Sequence, residues 1–240
     1  MLIAILARGI GTSSALFTIV DAVLLRPLPY RDPGRLVALT AVAADPKFDS
    51  NGSLPYSDFE ELKAHARSFE DLAITYRTGW SEVTLTGGIE PQRIQAAFVS
   101  PNLFALFGRT PILGRTFTVD EDRRGDRLAV LSQDLASLRY GSAAAAVGRD
   151  IEIGGAQWRV IGIMPSDFRV PFLSTQLWMP LHAHPEWNDR REANPRLLQR
   201  WDVIARLKPG VRIYALSIRA QEAFYGAVED FTARGNNGTV

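Results

Sequence analysis

The longest apolar run lies at the start of the chain. From Leu2 to Leu25 nearly every residue is apolar or small, and Arg8 and Asp21 interrupt the pattern. A helix of about 20 such residues is what a bilayer core requires, so residues 1–26 are expected to form a single transmembrane helix. The larger apolar side chains from Ile10 to Leu25 each favour insertion by about 0.3–0.6 kcal/mol, whereas one central carboxylate costs about 2.5–3.5 kcal/mol. Asp21 stands five positions before Arg26, which puts it near the interface, where the penalty is smaller and insertion wins. The competing reading is a cleaved signal peptide, but no basic n-region precedes the run and no small-x-small site follows Leu25. Charge leaves the orientation open, with Arg8 on one side and Arg26 and Arg31 on the other.

The helix pattern stops at Arg26, Pro27, Leu28, Pro29 and Tyr30, followed by Asp32, Pro33 and Gly34. Prolines fix φ and remove a donor, so residues 27–34 predict a stiff, extended connector. The segment from Arg26 to Tyr30 is the candidate coupling element, because an extended chain passes on motion that a glycine-rich one would absorb.

Past the connector, short patterns alternate through a body spanning 35–234. Leu36, Val37, Leu39 and Val42 predict a buried strand within 35–43. Ser57 with Glu60 has capping-box spacing and predicts a helix through about Ala66. Residues 82–85 and 93–99 read as strands around a Gly87-Gly88 turn, and 101–107 as a short helix stopped by Gly108. Residues 128–131 read as a strand, and 132–140 as a helix ended by Gly141. Residues 150–153 and 158–163 form a hairpin across Gly154-Gly155. The proline- and aromatic-rich stretch 165–195 predicts a long irregular wrap, 201–207 a strand, and 213–232 a helix; 235–240 is a frayed tail. Strands and helices mixed with hairpins predict an α+β fold rather than an all-parallel sheet.

Composition narrows the function classes. With 240 residues, 46% of them hydrophobic and 22% charged, the chain can bury one large core or two modest subdomains. The net charge of +1, with signs interspersed, argues against a nucleic-acid partner. No cysteine is present, which removes disulfides and thiolate metal sites.

The chemical motifs all favour bland readings. Gly9-Ile10-Gly11 lacks a preceding strand and a third glycine, so it reads as close helix packing rather than a dinucleotide loop. His182 and His184 hint at a metal site, but His65 is the only other histidine and no metal is expected. Neither G-x-S-x-G nor S-x-x-K occurs, and Ser100 and Ser132 stand where helix caps are expected. The run from Asp120 to Arg127 mixes signs and reads as a solvated loop. No Walker A pattern exists, so neither ATP nor any other cofactor is expected, and no catalytic constellation marks the chain as an enzyme.

Residues 7–30, ARGIGTSSALFTIVDAVLLRPLPY, resemble the first transmembrane helix and exit segment of MacB-like ABC-transporter permeases, especially the orphan permeases of soil acidobacteria. Further matches follow in order: Tyr56-Ser57-Asp58-Phe59, Ser68 to Leu72, Leu113 to Phe117, Val130 to Ser132, Val160 to Pro165, Leu177 to Pro180, and Ala205 to Val211. The resemblance spans nearly the whole chain. It implies a periplasmic core domain of two intertwined subdomains with porter-like β-α-β units, set after the first membrane helix and held at the bacterial inner membrane. It also implies a mechanical role in export or efflux. The implied partners are the remaining transmembrane part of a permease, a separate ATP-binding subunit or domain, a permease dimer and the lipid bilayer. Arg8, at a usually apolar position, and the missing basic segment before the helix depart from the family. The absence of later membrane helices before Val240 predicts an N-terminal fragment, from gene truncation or a misassigned start. The alternative is a secreted or anchored soluble binding module with no transport role.

Overall fold

The computed structural model describes residues 30–39, 56–76, 82–86, 91–170, 174–185, 187 and 201–211. In chain order the elements are β1 (Leu36–Leu39), α1 (Tyr56–His65), β2 (Phe69–Tyr76), β3 (Glu82–Thr86), β4 (Gln92–Val99), α2 (Leu103–Leu106), β5 (Leu113–Gly114), α3 (Val119–Arg123), β6 (Leu128–Ser132), α4 (Gln133–Tyr140), α5 (Ala143–Ala146), β7 (Asp150–Ile153), β8 (Ala156–Met164), β9 (Thr175–Pro180) and β10 (Trp201–Leu207). Strands and helices are mixed, and pairing is mainly antiparallel, with β4–β9 and β6–β8 parallel.

Strand pairing closes a circuit in which β4 joins β3 and β9, β9 joins β6, β6 joins β8, β8 joins β7, and β7 returns to β3. A wing of β1, β10 and β2 attaches to this circuit where Thr75 of β2 registers against Val99 of β4. Alternation along the strands separates two cores, since successive side chains point to opposite faces. Ala96, Phe98, Leu131, Leu177 and Met179 belong to one buried cluster, which extends to Leu72 and Val203 of the wing. Ala97, Val99, Val130 and Trp178 belong to the other, with Phe104, Phe107 and Phe168.

Local chemistry explains most element ends. Ser132 caps α4 by accepting from Leu135 N–H at 3.2 Å, and Gly141 ends it at φ 78°, a left-handed conformation that costs glycine little. Gly154-Gly155 turn the β7–β8 hairpin as expected.

Four expectations are corrected. Helix α1 opens at Tyr56, which places Ser57 inside its first turn rather than at the cap. Ser100 does not cap α2; its hydroxyl accepts from Ile74 N–H (3.0 Å) and donates to Asn102 Oδ1 (2.7 Å), tying β2 to the end of β4. The stretch 165–195 is not simply an irregular wrap, because 175–180 form β9, paired on both edges, with Trp178 fully buried and its indole donating to Val170 O at 2.6 Å. Finally, 120–127 is not a plain solvated loop. Thr118 and Glu121 form a capping box that starts α3, and Asp122 is buried. Strand β2 lies in a stretch for which the sequence pattern predicts no element. The expected transmembrane helix, the expected 213–232 helix and the expected frayed tail at 235–240 lie outside the described residues. Among the described residues no helix is long and apolar enough to cross a membrane.

The capping box gives the fold an acid limit. Hydrogen bonds from the Arg115 guanidinium (2.6 and 2.7 Å), then from Thr118, outweigh burial and hold the Glu121 carboxyl down from 4.5 to about 2. A carboxylate with a depressed folded pKa adds stability above its unfolded value, and that stability is lost as pH falls through the folded one. Urea denaturation of the Glu121→Gln variant should therefore show a loss of about 1–3 kcal/mol at neutral pH, and the gap to the parent should narrow as pH drops from 4.5 toward about 2.

Candidate functional site

The one residue of the candidate coupling segment inside the described region is Tyr30; Arg26, Pro27, Leu28 and Pro29 lie outside it. Tyr30 is half-buried, with its ring edge-on to Phe107 (4.8 Å between centroids) and to Phe168 (6.2 Å). Such contacts add about 0.5–1.5 kcal/mol each beyond area burial. Arg169 N–H donates a long bond of 3.5 Å to the Tyr30 hydroxyl. Burial pushes the phenol above its ordinary pKa, partly opposed by that N–H, so the ring stays neutral.

The next residues are fixed just as firmly. Arg31 N–H donates to Phe107 O (3.1 Å), and its guanidinium pairs with Glu70 at 2.7 Å. Asp32 turns the chain at φ 41°, a left-handed value that aspartate tolerates better than most residues. Its carbonyl accepts from Arg35 N–H at 2.9 Å, closing the short turn over 33–35. Arg35 then bonds Leu207 O at 2.5 and 2.8 Å and pairs with Glu70. The hydrogen bond from Arg35 does most to lower the Glu70 pKa; burial opposes it, and the charges of Arg35 and Arg31 add to the lowering.

Arg206 of β10 lies beneath this turn and is fully buried. Its Nε and Nη2 donate to Leu106 O at 2.8 and 2.5 Å, and Nη1 donates to Asp32 O at 3.4 Å. Burial, then the charge of Arg31, lowers its pKa, and Glu70 and Asp32 oppose that effect. The guanidinium nonetheless remains charged, as arginine does in proteins. Gly108 completes the junction at φ 65°, where an added Cβ would lie 2.5 Å from Arg31 Cβ. Only glycine fits there without displacing the connector.

Elsewhere the candidate residues separate. His182 Nδ1 meets Asp122 Oδ2 at 2.8 Å, and His182 N–H donates to Asp122 Oδ1 at 3.0 Å, so this histidine docks α3. His184 lies between the rings of Tyr76 (4.2 Å) and Phe98 (4.7 Å), and His65 bonds Glu61 O. Among the described residues no three His, Asp or Glu side chains gather as metal ligands. Arg35, Arg206 and Glu70 carry no individual signal in the sequence, and the pattern that marks the junction is the Tyr-Arg-Asp-Pro-Gly-Arg run of 30–35.

Over residues 1–223 the sequence matches the family described as MacB-like periplasmic core domain. This chain belongs to that family. Solved structures carry the same fold. The periplasmic region of MacB from Actinobacillus actinomycetemcomitans superposes with a TM-score of 0.60 at 12% identity, over 85% of this chain and 93% of that one. The extracellular domain of the noncanonic ABC-type transporter YknZ from Gram-positive bacteria gives 0.57 at 15% identity, over 75% and 87%. No curated protein sequence matches the chain. In this MacB-like core domain, then, the junction is where the body receives the segment that leads from residues 1–29.

Replacing Gly108 tests the fit. Gly108→Ala imposes both a left-handed alanine and a clash with Arg31, and thermal unfolding should show a loss of about 1–3 kcal/mol. Gly141→Ala, where φ is 78° but nothing lies within 4 Å of the added Cβ, should cost less.

Proposed function

We propose that this MacB-like core domain is the extracytoplasmic part of an ABC-transporter permease, and that it works mechanically. Motion of a membrane helix at residues 1–26, driven by ATP hydrolysis on another subunit or domain, passes through 27–30 into the body. There it moves substrate or a partner outward. The domain itself performs no catalysis. The remaining permease helices, a second permease copy and the bilayer of the bacterial inner membrane complete the machine, with the body in the periplasm.

The observation that carries this reading is the junction. A domain merely tethered to a membrane needs no fixed angle at its tether, yet Tyr30, Arg31, Asp32 and Arg35 each bind the body separately. Prolines at 27 and 29 favour an extended path of about 3 Å per residue up to that point. The two features together make a lever with little slack.

Two outcomes are expected. After an alkaline carbonate wash the full chain stays with the membrane, and a chain beginning at Leu28, which keeps Tyr30, is soluble; intact full chain in the wash would remove the anchor. In a complete permease carrying this segment, changing Pro27 and Pro29 to glycine and inserting Gly-Ser-Gly-Ser before Tyr30 should leave ATPase activity and expression intact and abolish most transport. Unchanged transport would reduce the prolines to helix stops.

A further inference from the structure

Arg206 differs from the other arginines of the junction. Arg31 and Arg35 keep exposed surface and pair with Glu70, whereas Arg206 is fully buried and spends its donors on the main-chain carbonyls of Leu106 and Asp32. The face it occupies on β10 is shared with Ile204, which packs on the Phe104, Phe107 and Phe168 cluster. An aliphatic side chain would fill that space without the desolvation penalty of a buried cation. What an aliphatic side chain cannot do is hold two carbonyls at once.

We propose that Arg206 is the positioning residue of the junction, fixing the direction in which the connector leaves the body by holding the end of α2 and the Asp32 turn in one planar fork. The two acceptors lie 100 and 174 positions away in sequence, so no local turn could set their spacing. Opposite Arg206, Leu36 of β1 and Asp71 of β2 stand in register, which seats its backbone centrally in the wing. The planar guanidinium suits this task because its donors keep fixed relative directions, which an ammonium on a flexible stem does not. Any effect on transport rests on the coupling reading, but the positioning itself does not.

Hydrogen exchange on the full chain in detergent micelles, resolved by residue, tests it. The probes are the amides of Arg31 and Arg35, which donate to Phe107 O and Asp32 O, and the reference is the amide of Val160, which donates to Arg149 O in the strand circuit. In Arg206→Met, Arg31 and Arg35 should exchange at least about tenfold faster while Val160 is unchanged. Arg206→Lys, which keeps the charge and loses the fork, should fall between. Unchanged exchange at Arg31 and Arg35 in Arg206→Met would overturn the proposal. So would an equal acceleration of all three amides in both variants, which would make Arg206 an ordinary core residue. If Arg206→Met fails to fold, the Lys variant decides alone: faster Arg31 and Arg35 with Val160 protected supports positioning, and no change refutes it. Because no transport is measured, this result can fail while the coupling experiment succeeds, and the reverse.

Discussion

The carbonyls at the C-terminal end of α2 must find donors, and where those donors come from organises the molecule. A helix end leaves its last carbonyls without intrahelical partners. Here Phe104 O and Ala105 O are met locally, by Arg109 and Gly108 N–H. Leu106 O is met by the buried Arg206 fork and Phe107 O by Arg31 N–H. A four-residue helix thus gathers the last strand of the wing and the incoming connector at one point. Removing the Arg206 or the Arg31 donor would leave the carbonyl of a buried residue, Leu106 or Phe107, unsatisfied, at about 1–3 kcal/mol.

The closed circuit of strands is what that point is built on. Each circuit strand has a neighbour on both edges; alternation sends side chains of β4, β6, β8 and β9 into both buried clusters, and β3 and β7 contribute to the first alone. The wing shares both buried clusters with the circuit, but its strand pairing to it is narrower, the Thr75–Val99 register and the hydrogen bonds that Ser100 and Asn102 make to Ile74, Leu72 and Asp71. Tyr30 thus touches the circuit side through Phe107 and Phe168, and the residues after it reach the wing through Glu70 and Arg206, the two routes that the proposed coupling would use.

What the sequence made legible was governed by local rules. Glycines after helices, the glycine pair of the β7–β8 hairpin and Ser132 as a cap each act within a few residues, and the structure has each in that role. Strand β2 escaped because Phe69-Glu70-Asp71-Leu72 places two carboxylates together and breaks the alternation; those side chains serve Arg31, Arg35 and Asn102, which are distant in sequence. Strand β9 escaped because prolines and tryptophan surround it, and its burial depends on β4 and β6 closing over both edges. Asp122 looked solvated within a mixed-charge run, since nothing nearby in sequence reveals that His182 would cover it. The junction was half legible. Its prolines and Tyr30 stood out as a connector, but the residues that clamp it come from 70, 106 to 108 and 206 to 207, and their pairing is a property of the fold.

Mechanical coupling requires that the connector keep a fixed direction relative to the body. The chain has no cysteine, so spin labels at Leu28→Cys and at Leu138→Cys, an exposed position on α4, would be the only ones present. Double electron–electron resonance on this doubly labelled full chain should give a single narrow distance distribution. A broad distribution, as from a freely jointed tether, would contradict the lever at its base.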